Sequence, residues 1–473
     1  MILHWFRRDL RVDDNVALAA ACRNDTPVVG VFCCDRRWFP AQTGQTGVHQ
    51  ATFLLAALSE LATNLARLNI PLKFRVTDDP VQTLLALAAE LRATSIVFNK
   101  EYEPAQLKQD SRLMREAARI GLPVNGFKDG AIFEENEILS SSGKPYTVFS
   151  PYRRSWLTRL GMNPLNMARP PRARSVIPTQ PDPIPEPTVF GFSAVNLVQA
   201  PGERAAIQRL NTFARQSIIE YESQRNFPAV EGTSRLSPHL SAGTVSIRRC
   251  VNAALEQGAG QGVHGAGVWL TELIWRDFYR MILFHFPHTE NQAFDQKYAT
   301  LEWSSDPELR DTWIHGRTGY PIVDAAILQV RETGWMHNRL RMIVAMFLTK
   351  DLDVHWRFGE RQFRFWLMDY DQASNVGGWQ WSAGTGTDAA PYFRVLNPIL
   401  QGQRYDPNGR FVRLYLPALR RVPDRFVHAP WLMPSALQST TGCLIGRDYP
   451  APVVDHATAR RQAIEKFRRR SSR

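Results

Sequence analysis

The first 130 residues alternate short apolar runs with longer amphipathic stretches. Apolar runs of strand length occupy residues 2–6, 27–33, 71–76, 95–99 and 123–127. Between them, apolar residues recur at helical spacing over residues 15–23, 47–68, 81–91 and 105–120. Strands that alternate with helices pair in parallel through helical crossovers, so this pattern predicts a doubly wound, Rossmann-like α/β sheet.

A proline-rich stretch separates this pattern from the rest of the chain. Eight prolines lie between residues 161 and 192. Because proline interrupts helices and central strands, an extended linker over the surface is predicted. Beyond residue 201 the strand signals nearly vanish, and amphipathic helical patterns run to about residue 352 and again to about residue 369. We therefore predict an α/β domain at residues 1–130, a linker at 131–200 and an all-α domain at 201–473.

Composition narrows the classes of function. The formal net charge of +12 favours a polyanionic partner or an anionic cofactor. The five cysteines have no zinc-site spacing, so no metal site is predicted, and their odd number suits a reducing compartment. No window approaches the roughly 20 apolar residues of a membrane span, so we expect a soluble, intracellular protein without a membrane partner. No GxGxxG follows the first strand and no GxxxxGK[ST] occurs, so neither motif signals a nucleotide.

Tryptophan is concentrated in one part of the chain. Nine of the thirteen lie between Trp269 and Trp381. One interpretation is a large aromatic core. The other is that the indoles serve as stacking platforms for bases, as electron relays, or as both.

The segment WLTELIWRDFYR (residues 269–280) is helical by composition. Its spacing places Trp269, Glu272, Arg276 and Tyr279 along one face, with Trp275 at the edge. An ion pair between Glu272 and Arg276 on a surface helix would contribute only about 0.2–0.5 kcal/mol. A carboxyl group among aromatic rings is instead desolvated and suited to hydrogen-bond a polar ring edge, and we favour this second interpretation.

Three other segments carry polar groups suited to binding. In TGWMHNRLRM (residues 333–342), Asn338 suits an amide-like base edge and Arg339 suits a phosphate. In LMDYDQASNVGGWQW (residues 367–381), a glycine pair permits close backbone approach. In EGTSRLSPHLSAG (residues 231–243), hydroxyl side chains surround Arg235 and could hold a diphosphate, although such a string is also typical of a helix cap.

At these segments the chain resembles the photolyase/cryptochrome family, and within it the class I cyclobutane-dimer photolyases of bacteria. The resemblance covers essentially the whole length. It rests on WFRRDLR (residues 5–11), YESQRNFPAVEGTSRLS (221–237), WLTELIWRDFYR, GYPIVDAA (319–326), WMHNRLRM (335–342) and NVGGWQW (375–381).

The resemblance implies that the helical domain binds one FAD per chain, and that the α/β domain binds an antenna pigment. By similarity, the positions around the FAD phosphates and adenosine are Tyr221, Thr233, Ser234, Arg235, Leu236, Ser237 and Trp269. Those around the isoalloxazine are Arg341, Asp369, Tyr370, Asp371 and Asn375. Asn375 follows the photolyase pattern, whereas Tyr370 stands where close relatives usually have glycine.

The resemblance also implies a DNA substrate that carries cyclobutane pyrimidine dimers. The pocket for the flipped-out dimer matches Glu272, Trp275, Asn338, Met342 and Trp381. DNA contacts match Arg225, Arg276, Arg339 and Gln401, together with Tyr279 on the same helix as Arg276. An electron relay from the surface to the flavin matches Trp303, Trp356 and Trp379.

The implied reaction is light-driven repair without net redox change. One electron passes from excited, reduced FAD to the dimer, the cyclobutane bonds open, and the electron returns. Glu272, protonated or strongly hydrogen-bonded, would stabilise the charge that develops on the dimer. The resemblance also implies a bacterial, cytoplasmic monomer that associates with the nucleoid.

Two questions stay open at the level of sequence. Overall likeness favours methenyltetrahydrofolate as the antenna, but Gln106 replaces an acidic folate contact, and KEYEPAQLKQD (residues 100–110) and FCCD (32–35) look more like 8-hydroxy-5-deazaflavin-binding relatives. The alternative function is a cryptochrome-type blue-light sensor. Repair of the pyrimidine–pyrimidone photoproduct is less favoured, because His337 is followed by Asn338 rather than by a second histidine.

Overall fold

The computed structural model describes residues 1–37, 39 and 46–471. The chain divides into two compact units, each built from separate stretches of sequence. Unit 1 comprises Met1–Glu222, Thr233–Pro287 and Met368–Ala373, and unit 2 comprises Ser223–Gly232, His288–Leu367 and Ser374–Arg473. The helices after residue 201 are therefore shared between the two units, whereas the sequence pattern groups them in one domain.

Unit 1 contains the predicted parallel sheet. Its strands are β1 (Ile2–Phe6), β2 (Val28–Asp35), β3 (Leu72–Thr77), β4 (Ser95–Asn99) and β5 (Val124–Phe127). Within the described residues they form one sheet in the order β3-β2-β1-β4-β5, with all four strand pairs parallel. The crossover helices are α1 (Val16–Ala21), α2 (Val48–Ala66), α3 (Pro80–Glu90) and α4 (Pro104–Arg119). The predicted doubly wound α/β fold is confirmed, and element boundaries differ from the predicted ones by a few residues.

The proline-rich stretch lies extended along the sheet and α2. The Arg174 amide donates to the Leu68 carbonyl at 2.9 Å, and the Asp182 amide donates to the Leu72 carbonyl at 2.9 Å. The Asp182 carboxylate also accepts hydrogen bonds from the Phe74 amide at 2.9 Å and from Lys73 Nζ at 3.2 Å. The prolines keep this stretch from forming a helix or a central strand, and hydrogen bonds to neighbouring residues hold it in place instead.

The helical part of unit 1 is organised around one long helix. It contains α5 (Phe149–Met162), α6 (Glu203–Gln216), the start of α7 (Tyr221–Gln224), α8 (Ser237–Ala242), α9 (Ile247–Glu256) and α10 (His264–His285). The buried Asp277 of α10 accepts hydrogen bonds from the Trp156 indole of α5 and from the Ile132 amide, both at 3.1 Å. This carboxylate therefore joins α10 to the chain that leaves the sheet.

Among its described residues, unit 2 has helices, loops and two isolated β-bridges but no strand. Its helices are α11 (Pro307–Ile314), α12 (Pro321–Thr333), α13 (Asn338–Met346), which continues into a π-helical turn at Phe347–Asp351, α14 (Trp356–Trp366), most of α15 (Gln372–Ala383), α16 (Pro398–Tyr405), α17 (Arg410–Tyr415), α18 (Ser435–Thr441) and α19 (His456–Ser471). Short 3₁₀ turns connect several of them. Across the described parts of both units, no helix has the length and apolarity to cross a membrane.

We predict that Asp324→Ala strongly destabilises unit 2. The fully buried Asp324 carboxylate accepts from the Thr318 amide at 2.8 Å, the Thr318 hydroxyl at 2.6 Å and the Tyr449 hydroxyl at 2.6 Å. Its loss leaves these donors buried without an acceptor, which should lower the free energy of unfolding by about 2–4 kcal/mol. Urea denaturation followed by circular dichroism measures this. Asp306→Ala, which removes the exposed N-cap of α11, should cost only about 1 kcal/mol; equal losses would contradict the prediction.

Candidate functional site

Two predicted cofactor residues of unit 1 meet on a shared aromatic ring. Tyr221 and Trp269 are both buried, and both pack against Phe213 of α6. The ring centroids lie 5.8 Å apart for Tyr221 and 5.0 Å apart for Trp269. The structure thus brings together side chains that are 48 positions apart in the chain, as numbered in the sequence.

An arginine holds the predicted phosphate loop, residues 233–237, through the backbone carbonyls of the loop. Arg209 Nε donates to the Ser234 carbonyl at 2.9 Å, and Arg209 Nη2 donates to the Thr233 carbonyl at 3.4 Å. Arg235 has a left-handed backbone with φ of 50°, which turns the chain sharply before α8 begins at Ser237. The loop is therefore a fixed turn that carries three hydroxyl side chains and a guanidinium.

The segment from Asp369 to Asp371 also belongs to unit 1, and all three residues are buried. The Tyr370 carbonyl accepts a hydrogen bond from the Ser241 hydroxyl at 2.6 Å, and Asp371 pairs with Arg280 at 3.2 Å. The segment is therefore attached to α8 through the backbone of Tyr370 and to α10 through the side chain of Asp371. Because Tyr370 makes this contact through its backbone carbonyl, the contact does not depend on the tyrosine side chain.

In unit 2, Asn375 of α15 is paired with a glutamate that the sequence analysis missed. Asn375 Nδ2 donates to the Glu360 carbonyl at 3.1 Å and to Glu360 Oε1 at 3.0 Å. Burial raises the pKa of Glu360, and the nearby Arg364 opposes this rise. The sequence does contain a sign of this role. Glu360 has the same helical spacing as the buried Trp356 and Phe363 of α14, so a charged residue stands on the apolar face of that helix.

The three predicted relay tryptophans all lie in unit 2. Trp356 and Trp379 are buried, whereas Trp303 is partly exposed. The His355 ring lies between two of them, with its centroid 5.4 Å from that of Trp303 and 5.7 Å from that of Trp356. Trp379 packs against Gly359, one helical turn after Trp356 on α14. The predicted aromatic core exists as well, since the fully buried Trp313 donates its indole hydrogen to the Val344 carbonyl at 3.3 Å.

On α10, two predicted lesion or DNA residues have different surroundings. Trp275 stacks on Phe149, with centroids 3.6 Å apart and an interplanar angle of 7°, and Tyr279 packs beside it. Arg276 instead donates to the Gly130 carbonyl at 2.7 Å and to the Leu240 carbonyl at 3.1 Å. Burial lowers the pKa of Arg276 to about 10. The Arg276 guanidinium thus points into unit 1, which differs from the DNA-facing position that the resemblance implies. Glu272, on the same helix, is partly buried.

The predicted residues of α13 adjoin a cluster of arginines in unit 2. Asn338 begins the helix after His337, whose Nδ1 accepts from the Arg339 amide at 3.1 Å, and Arg341 Nε donates to the Met336 carbonyl at 2.9 Å. Met342 Sδ lies 3.9 Å from Arg339 Nη1.

Arg339 itself is surrounded by other cations. It donates to Asn226 Oδ1 at 2.6 Å and lies over the Tyr405 ring at 4.6 Å. Burial lowers its pKa, and the positive charges of Arg225, Arg394 and Arg404 lower it further. Arg394 in turn lies 6.0 Å from the Trp381 ring. We call Arg225, Arg339, Arg394 and Arg404 the arginine cluster; Arg394 and Arg404 were missed by the sequence analysis, although Arg404 stands beside a tyrosine in a basic, aromatic stretch.

Comparison with known proteins identifies the family. A model described as "DNA photolyase" matches residues 2–173, and one described as "FAD binding domain of DNA photolyase" matches residues 269–469. The deoxyribodipyrimidine photo-lyase of Escherichia coli is 42% identical, over 98% of each chain. This chain belongs to the DNA photolyase family. The photo-lyase of Vibrio cholerae is 38% identical over 99% of each chain.

Solved photolyase structures share the fold. A bacterial class III photolyase from Agrobacterium tumefaciens has a TM-score of 0.92 at 33% identity, covering 100% of this chain and 98% of its own. A Synechocystis cryptochrome has a TM-score of 0.86 at 27% identity, covering 98% of each chain. The predicted combination of an α/β sheet and a helical FAD-binding region is therefore confirmed.

The residues of the photolyase site suit FAD chemically. The loop at residues 233–237 carries hydroxyl groups and a guanidinium of the kind that could hold a diphosphate, and Asn375 carries an amide that could meet a ring edge. In unit 2, a Cβ added to Gly378 would meet no atom within 4 Å among the described residues, apart from its chain neighbours and its own helix backbone. This open space beside Asn375 is the kind of gap that lets a planar ring approach the backbone of α15 closely.

Unit 1 has a small cavity at the point where the strand order reverses, between the carboxyl ends of β1 and β4. Doubly wound sheets bind ligands at this point. The cavity is lined by Arg8, Asn99 and Glu101, among others, but its volume is only about 40 Å³, room for a few water molecules. The buried Oε1 atoms of Glu101 and Gln106 have no hydrogen-bond partner among the described residues. Of these two residues only Glu101 lines the cavity, where its free acceptor would suit an N–H group of a ligand that fills a wider space than this.

We predict that alanine has opposite effects at two glycines around Trp379. In Gly359→Ala the new Cβ would lie 2.0 Å from the Trp379 ring, so overpacking should lower the free energy of unfolding by about 1–3 kcal/mol. In Gly378→Ala the methyl group is free in the flavin-free protein and should stabilise the helix by about 0.5–1 kcal/mol.

The same pair of variants tests the flavin site. Gly378→Ala should weaken FAD binding by about tenfold or more, because a methyl group takes the space that the ring requires. Chemical denaturation of flavin-free protein and titration with FAD separate the two effects. Unchanged FAD affinity in Gly378→Ala would exclude this space as the position of the ring.

Proposed function

We propose that this protein uses light to repair cyclobutane pyrimidine dimers in DNA, with the activity of a deoxyribodipyrimidine photo-lyase. The observation that carries the proposal is the full-length likeness to relatives of that name, at 42% identity for the Escherichia coli enzyme. The FAD-binding model over residues 269–469 supports the required cofactor. The arginine cluster and the net charge of +12 support a polyanionic substrate.

One FAD per chain is the proposed cofactor. Its contacts are Tyr221, Thr233, Ser234, Arg235, Leu236, Ser237, Trp269, Arg341, Asp369, Tyr370, Asp371 and Asn375. Bound FAD in its reduced state supplies the excited electron that opens the dimer and that the dimer gives back. The chain supplies the fixed loop at residues 233–237 for the phosphates. With its Nδ2 held by Glu360, the Asn375 amide would have its Oδ1 left to meet the ring edge of bound FAD.

The dimer pocket is proposed to consist of Glu272, Trp275, Asn338, Met342 and Trp381. A dimer must leave the base stack to reach a buried cofactor, and aromatic planes receive it there. Stacking on Phe149 fixes the plane of Trp275 before substrate arrives, so little side-chain freedom is lost on binding. Glu272 can stabilise charge that develops on the dimer carbonyls.

The DNA backbone is proposed to bind at Arg225, Tyr279, Arg339 and Gln401, with Arg394 and Arg404 added by the structure. The charges of Arg225, Arg394 and Arg404 act against the charge of Arg339 in the free protein, and phosphate oxygens would relieve that repulsion. Arg276 supports α10 from within unit 1 through its two carbonyl contacts. We further propose that the protein acts as a monomer in the cytoplasm, where it associates with the nucleoid.

Methenyltetrahydrofolate is the proposed antenna, and 8-hydroxy-5-deazaflavin is the alternative. Likeness to the bacterial photo-lyases over the whole chain supports the first, and the local segment around Gln106 supports the second. Among structural relatives, an archaeal photolyase at 26% identity is described with two FAD molecules, which makes a flavin antenna a further outcome of pigment extraction.

A light sensor of the cryptochrome type is the second candidate function. The Synechocystis cryptochrome supports it through a TM-score of 0.86. Its identity of 27% is well below the 42% of the Escherichia coli photo-lyase, which favours the enzyme.

Repair by purified protein tests the main proposal. Chemically reduced protein should convert dimer-containing oligonucleotide to intact pyrimidines under blue light and should do nothing in the dark. Extraction should yield one FAD per chain together with a folate. Trp379→Phe should abolish light-driven reduction of oxidised flavin but keep most of the repair by chemically reduced protein. A flavin-loaded protein that leaves dimers intact under light would support the sensor instead.

DNA titrations separate lesion recognition from backbone affinity. Trp381→Ala should weaken binding of dimer-containing DNA by roughly 5- to 150-fold, since a base–aromatic stack contributes about 1–3 kcal/mol, with little effect on undamaged DNA. Arg339→Ala should weaken both DNAs and reduce the salt slope by about one. Arg331→Ala, outside the arginine cluster, is the control. Equal loss of both DNAs in Trp381→Ala, at normal flavin content, would refute the proposed dimer pocket.

A further inference from the structure

Trp303, the outermost residue of the proposed relay, is covered by the last helix of the chain. Lys466 of α19 places its ammonium 4.4 Å from the centre of the Trp303 ring. The next residue, Phe467, meets the same indole edge-on, with centroids 6.4 Å apart. Trp303 nevertheless keeps part of its surface exposed. A cation over an indole is attracted to the electron-rich face of the neutral ring.

One aspartate fixes both partners of this contact. The Asp353 carboxylate pairs with Lys466 at 2.6 Å, and the Asp353 carbonyl accepts from the Ser304 amide, next to Trp303, at 2.8 Å. Asp353 has a left-handed backbone with φ of 55°, a conformation that aspartate and asparagine tolerate better than most residues. The lysine is therefore restrained at the ring, which a solvated surface lysine is not.

A third neighbour of Trp303, the His355 ring, carries no charge near neutral pH. His355 packs on both Trp303 and Trp356, and its Nδ1 accepts from the Arg357 amide at 3.1 Å. Burial lowers the pKa of His355 to about 4, and Arg357, Lys466, Arg361 and Arg310 lower it too. A positive charge on Trp303 would thus meet a fixed ammonium on its face and a neutral imidazole at its side.

We propose that Lys466, held by Asp353, shortens the time for which a positive charge stays on Trp303 during light-driven reduction of the flavin. This inference rests on the proposed relay. An electron leaves the Trp303 indole and fills the hole on Trp356, so Trp303 becomes a radical cation. Either the electron returns, or the indole N–H proton passes to water and an external thiol then supplies one electron and one proton. The contact with Lys466 is attractive while the ring is neutral and repulsive once it is charged, so it favours both exits from the radical cation.

Transient absorption of the Trp303 radical in flavin-loaded protein tests the proposal, with proton release followed by a pH-indicator dye. In Lys466→Met the radical cation should last about five times longer, and proton release should slow by the same factor, given two unit charges about 4 Å apart in a hydrated site. Lys466→Arg keeps a cation at the ring and should stay within about twofold of the unmodified protein. Asp353→Asn keeps the backbone conformation but frees the lysine. The Trp303 radical cation in this variant should therefore last longer, approaching its lifetime in Lys466→Met.

The chain offers a matched control on a ring outside the relay. Lys297 lies 4.7 Å from the Tyr298 ring, pairs with Asp295 at 2.9 Å, and Tyr298 also packs on Phe467. Lys297→Met should leave the Trp303 radical unchanged, so an equal effect would mean that loosened packing of α19 is responsible, which overturns the proposal. A shorter lifetime in Asp353→Asn would overturn the role of Asp353 as the restraint.

Trp303→Phe separates this inference from the proposed relay. If Trp303→Phe leaves the long-lived tryptophan signal and the flavin reduction intact, the relay assignment fails and this inference fails with it. If Trp303→Phe removes the signal while Lys466→Met matches the unmodified protein, the relay stands and the role of Lys466 is refuted.

Discussion

A buried network of two guanidinium groups and two carboxylates holds unit 1 together. Arg11, just after β1, and Arg248 of α9 both pair with Asp129 at 2.7 Å, and Arg248 also pairs with Asp14 at 2.9 Å. Arg11 further donates to the Gly243 carbonyl at 3.0 Å. Burying four charges carries a large desolvation cost, and removing one partner from such a network typically costs about 3–5 kcal/mol. The network therefore specifies one arrangement of the sheet against α8 and α9.

This constraint explains why the compact units do not follow the order of the chain. The helices after residue 201 look alike in sequence, because amphipathic patterns reveal an apolar face but not what covers it. Gly243 shows the deciding contact: its backbone has φ of 71°, and a Cβ there would fall 1.9 Å from the Arg8 carbonyl oxygen. The loop at residues 233–237, which precedes α8, is thereby fixed to the sheet, so a site for phosphates inherits the rigidity of the α/β layer.

Sequence predicted the sheet well because each signal there is local. The five strands are short apolar runs, and their crossover helices carry caps such as Asn15 and Asp79. The site was predicted less completely because its geometry depends on distant partners. Nothing near Arg276 in sequence shows that Gly130 and Leu240 provide its acceptors, and nothing near Asn375 shows Glu360. Tyr370 shows the converse, since its contact with Ser241 uses the backbone carbonyl and so does not depend on the side chain that departs from the pattern the resemblance implies.

Three buried tryptophans differ in what their indole nitrogen meets. Trp156 and Trp313 donate to Asp277 and to the Val344 carbonyl, so they act as hydrogen-bonded parts of the core. The buried Trp379 nitrogen has no acceptor among the described residues. An indole whose N–H meets no protein base loses that proton slowly, so we expect a positive charge that reaches Trp379 to return or move on. In the proposed relay, proton loss is then left to the partly exposed Trp303, where water and the Lys466 ammonium both act on the outcome.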